Sequence, residues 1–202
     1  MTWVLIAVAA IVVIAVLYWI AKRNSLIAAR NRVDESWSGI DVQLKRRHDL
    51  VPNLVETVKG YAAHESQVFE KTSKARAEAM SAHGVGDTAQ AEQKLTGALT
   101  DLRAVAENYP DLRATENFQQ LQAQLSETED QIQITRRVYN DTVQTYNTFI
   151  QIFPPSLIAN AFNFEPRQFF DAPSEDEAAP EVSFAKGEAK GEGAAPTAAS
   201  KK

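Results

Sequence analysis

Residues 3–21 read WVLIAVAAIVVIAVLYWIA, an apolar run without a charged side chain. An α-helix needs roughly 20 apolar residues to cross about 30 Å of hydrocarbon, because it rises 1.5 Å per residue. The run is long enough for one crossing. Residues 1–23 are therefore predicted to form a transmembrane helix with a basic flank.

Aromatic and basic side chains stand at the ends of this run, where amphipathic rings favour the boundary between lipid and water. Four basic residues and no acidic residue lie between Lys22 and Arg32. The positive-inside rule keeps such a cluster in the cytoplasm, so we expect a single-pass protein with its N-terminus outside. We expect membrane lipid to be one partner of the protein. The residues expected to anchor the helix in it are Trp3, Tyr18, Trp19, Lys22, Arg23, Arg30 and Arg32.

A cleaved secretory signal is the alternative interpretation of the apolar run. Such a signal would have a basic region before a shorter apolar stretch and small residues at a cleavage site after it. No basic side chain precedes this run, and residues 27–29, Ile-Ala-Ala, make a weak cleavage site. A retained span is the favoured interpretation.

The residues after the span show a helical pattern as far as Phe153. Pro52 and Pro110 are the only prolines between Lys22 and Phe153, and residues that favour helices dominate. Apolar residues recur at steps of three, four and seven, which places them on one helix face. The four stripes are Leu26, Val33, Trp37, Ile40 and Leu44; Leu54, Val58, Tyr61, Val68 and Ala75; Leu95, Leu99, Leu102, Ala106 and Tyr109; and Phe118, Leu121, Leu125, Ile132, Tyr139, Val143, Tyr146, Ile150 and Phe153.

The stripes end at three breaks, at residues 49–52, 84–87 and 109–111. Gly84 and Gly86 permit positive φ, Asp87 can cap the following helix, and Pro52 suits the first position of a helix. The pattern predicts an all-α fold, an antiparallel bundle of four helices over residues 24–153. Three long helices with a kink at Pro110 are the alternative.

The character of the chain changes after Phe153. Residues 154–171 are rich in phenylalanine, and we expect them to pack on or beside the bundle rather than form a partner site. Residues 172–202 are dominated by Ala, Glu, Pro, Gly and Lys, a composition expected to stay disordered. Within this tail, the apolar segment 180–184 could add a strand to a partner's sheet, or arise by chance.

The segment SWSGIDVQLKRRHDLVPNLV, residues 36–55, closely resembles the LemA family of bacterial proteins. Further matching pieces are residues 107–112, 116–118, 136–140 and 146–148, so the resemblance covers about residues 1–170. It implies an N-terminal anchor in the bacterial inner membrane, an antiparallel helical bundle and a cytoplasmic body. No agreed molecular activity comes with it.

Two polar motifs supply candidate interaction residues. Residues 41–49 form a dense charged patch, which we interpret mainly as a solvated helix face, although its arginines could receive an acidic partner or a phosphate. Two Tyr-Asn pairs a heptad apart repeat on one helix face, and setting the register of the core is their favoured role over ligand binding. The candidate residues are Arg46, Arg47, His48, Asp49, Asn53, Tyr139, Asn140, Tyr146 and Asn147.

Signatures of chemistry are missing from the sequence. It has no cysteine, no Glu-x-x-His pair for a di-iron centre and no phosphate-binding glycine loop. A net charge of -5 disfavours nucleic acid as a partner. We therefore expect no cofactor and no enzymatic activity, but a membrane-tethered adaptor or scaffold whose partner is another membrane protein or a second copy. Self-assembly that organises or remodels the membrane is the alternative.

Overall fold

The computed structural model describes residues 1–170, and this part contains helices and turns but no strand. The all-α expectation is confirmed. The helices are α1 (Thr2–Lys59), α2 (Ser66–Ser81), α3 (Val85–Glu107), α4 (Pro110–Arg113), α5 (Glu116–Gln151) and α6 (Pro155–Ala161). The predicted tail at 172–202, its segment 180–184 and residue 171 lie outside the described residues.

Helix α1 carries the apolar run and continues into the bundle. It has 58 residues, which corresponds to a length of about 87 Å. Its first part is the only stretch among residues 1–170 that is long and apolar enough to cross a membrane. Every side chain from Met1 to Ile20 is exposed in the isolated chain, as a lipid-facing segment requires.

The predicted break at residues 49–52 was wrong, because α1 passes through Pro52. A proline inside a helix has no N–H for the carbonyl four residues earlier, here that of His48. Arg76 of α2 supplies the missing donor, since its Nε donates to the His48 carbonyl oxygen at 2.7 Å. The helix therefore continues past Pro52 to Lys59, and Gly60 is its C-cap.

The other two predicted breaks lie where turns are found. Gly84, with φ +83°, precedes the first residue of α3, a backbone conformation that favours glycine. Asp87 lies in the first turn of α3 but makes no capping hydrogen bond with its side chain. Pro110 is the first residue of the short α4, so it belongs to a turn and not to a kinked long helix.

The buried side chains form two clusters at opposite ends of the α1–α5 pair. The distal cluster joins the end of α1 to α2, α3, α4 and the start of α5, with Val58, Leu95, Leu102 and Leu112 as fully buried members. The proximal cluster, next to the span, joins the first half of the soluble part of α1 to the end of α5 and α6. Its buried members are Leu26, Val33, Ile40, Leu44, Ile132, Tyr139, Val143, Tyr146, Ile150, Ile158, Ala159 and Phe170.

The four long helices are therefore unequal in what they cover. Helices α2 and α3 are antiparallel to each other, as the ion pairs Lys71–Asp101 and Lys94–Glu78 show. They lie mainly against the distal half of α1. At the proximal end α1 and α5 pack together over their apolar stripes, with α6 and residues 164–170 beside them.

Candidate functional site

The charged patch of α1 is divided between the surface and the interior. Arg46, Asp49 and Asn53 are exposed, so they occupy the solvated face that the sequence indicates. Arg47 and His48 instead point into the bundle, and Arg47 is only 2% exposed. Interpreting the whole patch as a solvated face is therefore wrong for these two residues.

Arg47 is the centre of a buried ion network between α1, α3 and α5. Its guanidinium lies 3.2 Å from a carboxylate oxygen of Glu92 and 3.0 Å from one of Glu129. It also donates to the hydroxyl of Thr96 at 2.7 Å. The second carboxylate oxygen of Glu92 lies 2.5 Å from Nε2 of His48. One cation thus faces two acids from two other helices.

Burial has the largest effect on the pKa of Glu129. The pKa of Glu129 is raised, chiefly because burial disfavours its charged form and further because Glu92 and Asp130 are negative, while Arg47 opposes the rise. Nε of Arg47 is buried without a hydrogen-bond partner. The network therefore joins α3 and α5 to α1 through Arg47, and one donor of Arg47 stays without a hydrogen bond.

A cavity of about 400 Å³ adjoins the network between α1, α3 and α5. Leu54, Leu99 and Phe118 form part of its apolar wall, while Arg47 and Arg103 contribute positive charge. Within residues 1–170 no three His, Asp or Glu side chains are placed to hold a metal ion. The polar groups at this end of the cavity bind each other across helices, an arrangement that fixes packing.

The Tyr-Asn pairs of α5 bind the chain's own extended segment, residues 164–170. Asn147 donates from Nδ2 to the carbonyl of Arg167 at 2.9 Å and accepts from the Arg167 N–H at 2.8 Å. Asn140 makes the same two bonds with Phe170, at 3.0 and 2.9 Å. Each amide side chain therefore takes the place of a neighbouring strand's backbone for one residue of the segment.

The tyrosines complete the clamp, by which we mean Tyr139, Asn140, Tyr146 and Asn147 together. Tyr139 donates its hydroxyl to the carbonyl of Gln168 at 2.9 Å, and Tyr146 donates to that of Glu165 at 3.0 Å. Burial raises the pKa of both phenols, so each remains a hydrogen-bond donor at neutral pH. All four residues of the repeated motif thus act on one segment.

The spacing of the clamp follows from two backbone rises. Seven residues of α5 separate Asn140 from Asn147 and span about 10.5 Å. The residues they bind, Phe170 and Arg167, are three apart, and three extended residues span about 10 Å. A helical heptad therefore matches three steps of an extended chain running the other way.

Helix α1 holds the other side of segment 164–170. Arg167 forms an ion pair with Asp34 at 2.9 Å. The ring of Trp37 lies 5.9 Å from that of Phe170 and 5.5 Å from that of Tyr139, measured between centroids. Phe170 is buried as a result, and the segment lies along both helices of the proximal pair.

The predicted anchor residues lie at both ends of the span and in the turns of α1 that follow it. Trp3 lies near the N-terminus of the apolar run, and Tyr18 and Trp19 lie near its other end. Lys22 lies over the Tyr18 ring at 5.5 Å, Arg23 over Phe162 at 4.8 Å and Arg30 over Phe164 at 5.6 Å. Arg32 is exposed. We call Lys22, Arg23, Arg30 and Arg32 the basic collar. Through Arg23 and Arg30, the basic collar also joins α1 to the aromatic residues that follow α5.

Several residues of these sites escaped the sequence analysis. Glu92 has a recognisable signal, since it lies in the apolar stripe of α3 between Thr88 and Leu95, where a carboxylate requires a buried partner. The burial of Arg47, itself one of the candidate residues, has the same kind of signal, since Arg47 falls on the buried stripe of α1 between Leu44 and Val51. Arg76, Glu129 and Arg167 lie on polar faces or in irregular chain and carry no such signal.

Comparison with known proteins gives a consistent result. Magnetosome proteins MamQ 2 and MamQ 1 of Paramagnetospirillum magneticum are each 26% identical in an alignment of 175 positions, which covers 74% of this chain and 64% of theirs. Protein LemA of Metamycoplasma hominis is 27% identical in an alignment of 159 positions, which covers 76% of this chain and 71% of that protein. The chain thus spans slightly less than two thirds of the MamQ proteins.

The LemA family model matches residues 36–184, a stretch that begins in α1 and includes both the buried ion network and the clamp. The resemblance of segment 36–55 is thereby confirmed. Since the match covers well over half of the sequence, the chain belongs to the LemA family.

Proposed function

We propose that the protein is a non-enzymatic scaffold tethered to the bacterial inner membrane, which presents its helical bundle to partners on the cytoplasmic side. The observation that carries the proposal is the continuity of α1. One helix of 58 residues contains both the apolar run and the α1 residues of both core clusters. With no loop between anchor and bundle, the bundle is held at a fixed distance and angle from the membrane.

The polar residues Arg47 and His48 and the four residues of the clamp support a structural role. Arg47 and His48 bind Glu92, and the clamp binds segment 164–170. These are contacts within the chain, and they join helices rather than orient a reacting group. A general base or nucleophile would need such a side chain to face a substrate.

The exposed faces of the proximal pair offer a surface to a partner. Val42 of α1 and Ile134 and Val138 of α5 are large apolar side chains that are more than half exposed. Ile134 and Val138 are one helical turn apart and so form one patch on α5. Exposed apolar side chains on a scaffold are where another membrane protein would gain most by binding.

Photo-crosslinking in native membranes tests this proposal. A photoreactive residue replaces Val138 or Val42 in the full chain, and a matched control replaces Glu70, an exposed residue of α2. We expect a discrete crosslinked product from positions 138 or 42 and none from position 70. If neither apolar position captures a protein, the scaffold proposal is wrong.

Self-assembly that organises the membrane is the second candidate, and the same patch favours it because a second copy is one partner that could cover Ile134 and Val138. In this case the crosslinked product is a dimer of the chain. Purified protein should then form ordered oligomers and deform liposomes that contain anionic lipid, which the basic collar would bind. A monomer that leaves such vesicles unchanged contradicts this candidate.

A further inference from the structure

The corner between α5 and α6 exposes a group of large apolar side chains. Phe153 is 77% exposed and Leu157 is 55% exposed, and Ile152 and Phe162 are also exposed. No charged residue occurs between Asp141 and Glu165, a stretch that contains the whole corner. A soluble protein seldom leaves such a patch in water.

The position of the corner points to what covers it. Pro154, Leu157 and Ile158 face Ile11, Ile14, Ala15, Tyr18 and Trp19 of the span across a groove of about 440 Å³. Ile11 and Trp19 are eight residues apart, about 12 Å along the helix axis. The corner therefore lies beside a length of α1 that is in the hydrocarbon if the span crosses the membrane.

The basic collar shows where the lipid surface would fall. Arg23, two residues after the apolar run, lies over the ring of Phe162 at 4.8 Å, and Lys22 lies over Tyr18. Charged side chains remain at the level of the head groups. Phe162 is therefore at that level, and Leu157, which faces residues of the span, is deeper.

The backbone of the corner also has few N–H groups that need water, since among residues 152–157 only that of Phe153 has no internal partner. Pro154 and Pro155 have no N–H to satisfy. The N–H groups of Ile152 and Ser156 donate to the carbonyls of Thr148 and Ile152, at 3.1 and 2.9 Å. The N–H of Leu157 donates to the carbonyl oxygen of Pro154 at 3.2 Å. Backbone donors that lie in lipid need such internal partners.

We propose that the α5–α6 corner is immersed in the bilayer beside the span, so that the protein holds the membrane at two places. The inference rests on the proposed membrane tether. The occupant of the patch is lipid, because the patch is continuous with the apolar face of α1. A second contact would also fix the tilt and rotation of α1, which a lone helix leaves free.

Fluorescence quenching by spin-labelled lipid tests the proposal in the full chain. The protein has no cysteine, so single cysteines can carry an environment-sensitive fluorophore. The test variants are Phe153→Cys and Leu157→Cys. Val12→Cys in the span is the positive control, and Glu70→Cys, exposed on α2, is the negative control. The variants are reconstituted in vesicles of phosphatidylcholine and phosphatidylglycerol that contain doxyl-labelled lipid.

We expect labels at 12, 153 and 157 to lose fluorescence to a similar degree, and the label at 70 to lose little. Quenching at 12 without quenching at 153 and 157 would overturn the immersed corner and leave the tether intact. A blue-shifted label at 153 that lipid does not quench would show a protein on the patch, and would also overturn the proposal. No quenching at 12 would refute tether and corner together.

Discussion

At the residue scale, neighbouring side chains of one motif have opposite surroundings. Arg46 and Arg47 each form an ion pair with an acid of α5, but Arg46 is nearly half exposed and Arg47 is buried. Water screens the first pair and leaves it worth little. Arg47 also pairs with Glu92, whose side chain is only 6% exposed, in a low dielectric where removal of Arg47 leaves uncompensated charge.

Replacement of Arg47 by methionine should lower the free energy of unfolding by about 3 kcal/mol or more, because Glu92 and Glu129 lose their cation. Arg46→Met is the matched control and should cost less than about 1 kcal/mol. Urea unfolding followed by circular dichroism measures both. Equal costs for the two variants would contradict the buried network as a source of stability.

The raised pKa of Glu129 predicts a dependence on pH. A carboxyl whose pKa is higher in the folded state destabilises the fold when it ionises, and this penalty disappears below its unfolded value of about 4.5. Glu129→Gln keeps an oxygen for Arg47 and removes the penalty. We therefore expect it to be more stable than the parent at pH 7, by a margin that vanishes as the pH falls to 4.5.

Thermal melts of Glu129→Gln across this pH range test the sign. Glu127→Gln is the control, since the Glu127 side chain is largely exposed and pairs with the surface residue Arg46. Its effect should stay within about 0.5 kcal/mol at every pH. A Glu129→Gln variant that is less stable at pH 7 than the parent would show that the bond to Arg47 outweighs the cost of burial.

The clamp can be tested by removing one donor. Asn147→Asp keeps an acceptor for the Arg167 N–H but loses the bond to its carbonyl and sets two oxygens against each other. The cost should be about 1 kcal/mol. Native-state trypsin should cut faster after Arg167, while Asn53→Asp, on an exposed face, should leave cleavage unchanged. An unaltered rate in Asn147→Asp would mean that the clamp does not hold the segment.

At the element scale, α1 depends on a donor from another helix. In the parent protein the carbonyl of His48 accepts from Arg76 because Pro52 has no N–H. Arg76→Met should therefore cost about 1–3 kcal/mol. In a Pro52→Ala background the helix supplies its own N–H, so the same substitution should cost much less. A double-mutant cycle measures this coupling, and equal costs in both backgrounds would disprove it.

The periodicity of the sequence predicts which faces of the helices are buried, but not where the helices end. Tyr61 and Phe153, which belong to the predicted stripes, lie beyond the ends of α1 and α5 and are exposed. Leu26, Ile40, Leu95 and Val143 lie on the predicted stripes and are fully buried. Thr128, a polar residue within the apolar stripe of α5, is also buried, and its hydroxyl donates to the carbonyl of Gln124 four residues earlier. Local pattern determines such positions because helix geometry repeats along the chain.

What the sequence could not predict depends on contacts between distant segments. Pro52 looks like a helix boundary until Arg76, which is remote along the chain, is placed against His48. The Tyr-Asn heptad indicates a buried face, but its partner segment 164–170 has no periodic pattern from which the clamp could be read. Tertiary contacts therefore set both the helix boundary and the role of the motif.

At the scale of the whole molecule, anchor and bundle are one mechanical unit. The clamp and the ion pair between Arg167 and Asp34 tie residues 164–170 to both helices of the proximal pair. The collar residues Arg23 and Arg30 contact the aromatic residues of the same region. An intact proximal end should therefore transmit the orientation of α1 in the membrane to the distal cluster.

That orientation is expected to follow the positive charge after the span. A fluorescent protein fused to the C-terminus should be active in the cytoplasm, and alkaline phosphatase fused there should be inactive. Insertion of Lys-Arg-Lys after Met1, with Lys22→Gln and Arg32→Gln, should shift part of the molecules to phosphatase activity, while Gln-Ser-Gln at the same place should not. These substitutions spare Arg23 and Arg30, whose ring contacts belong to the fold. Phosphatase activity alone from the unmodified chain would reverse the proposed topology and place the bundle outside the cytoplasm.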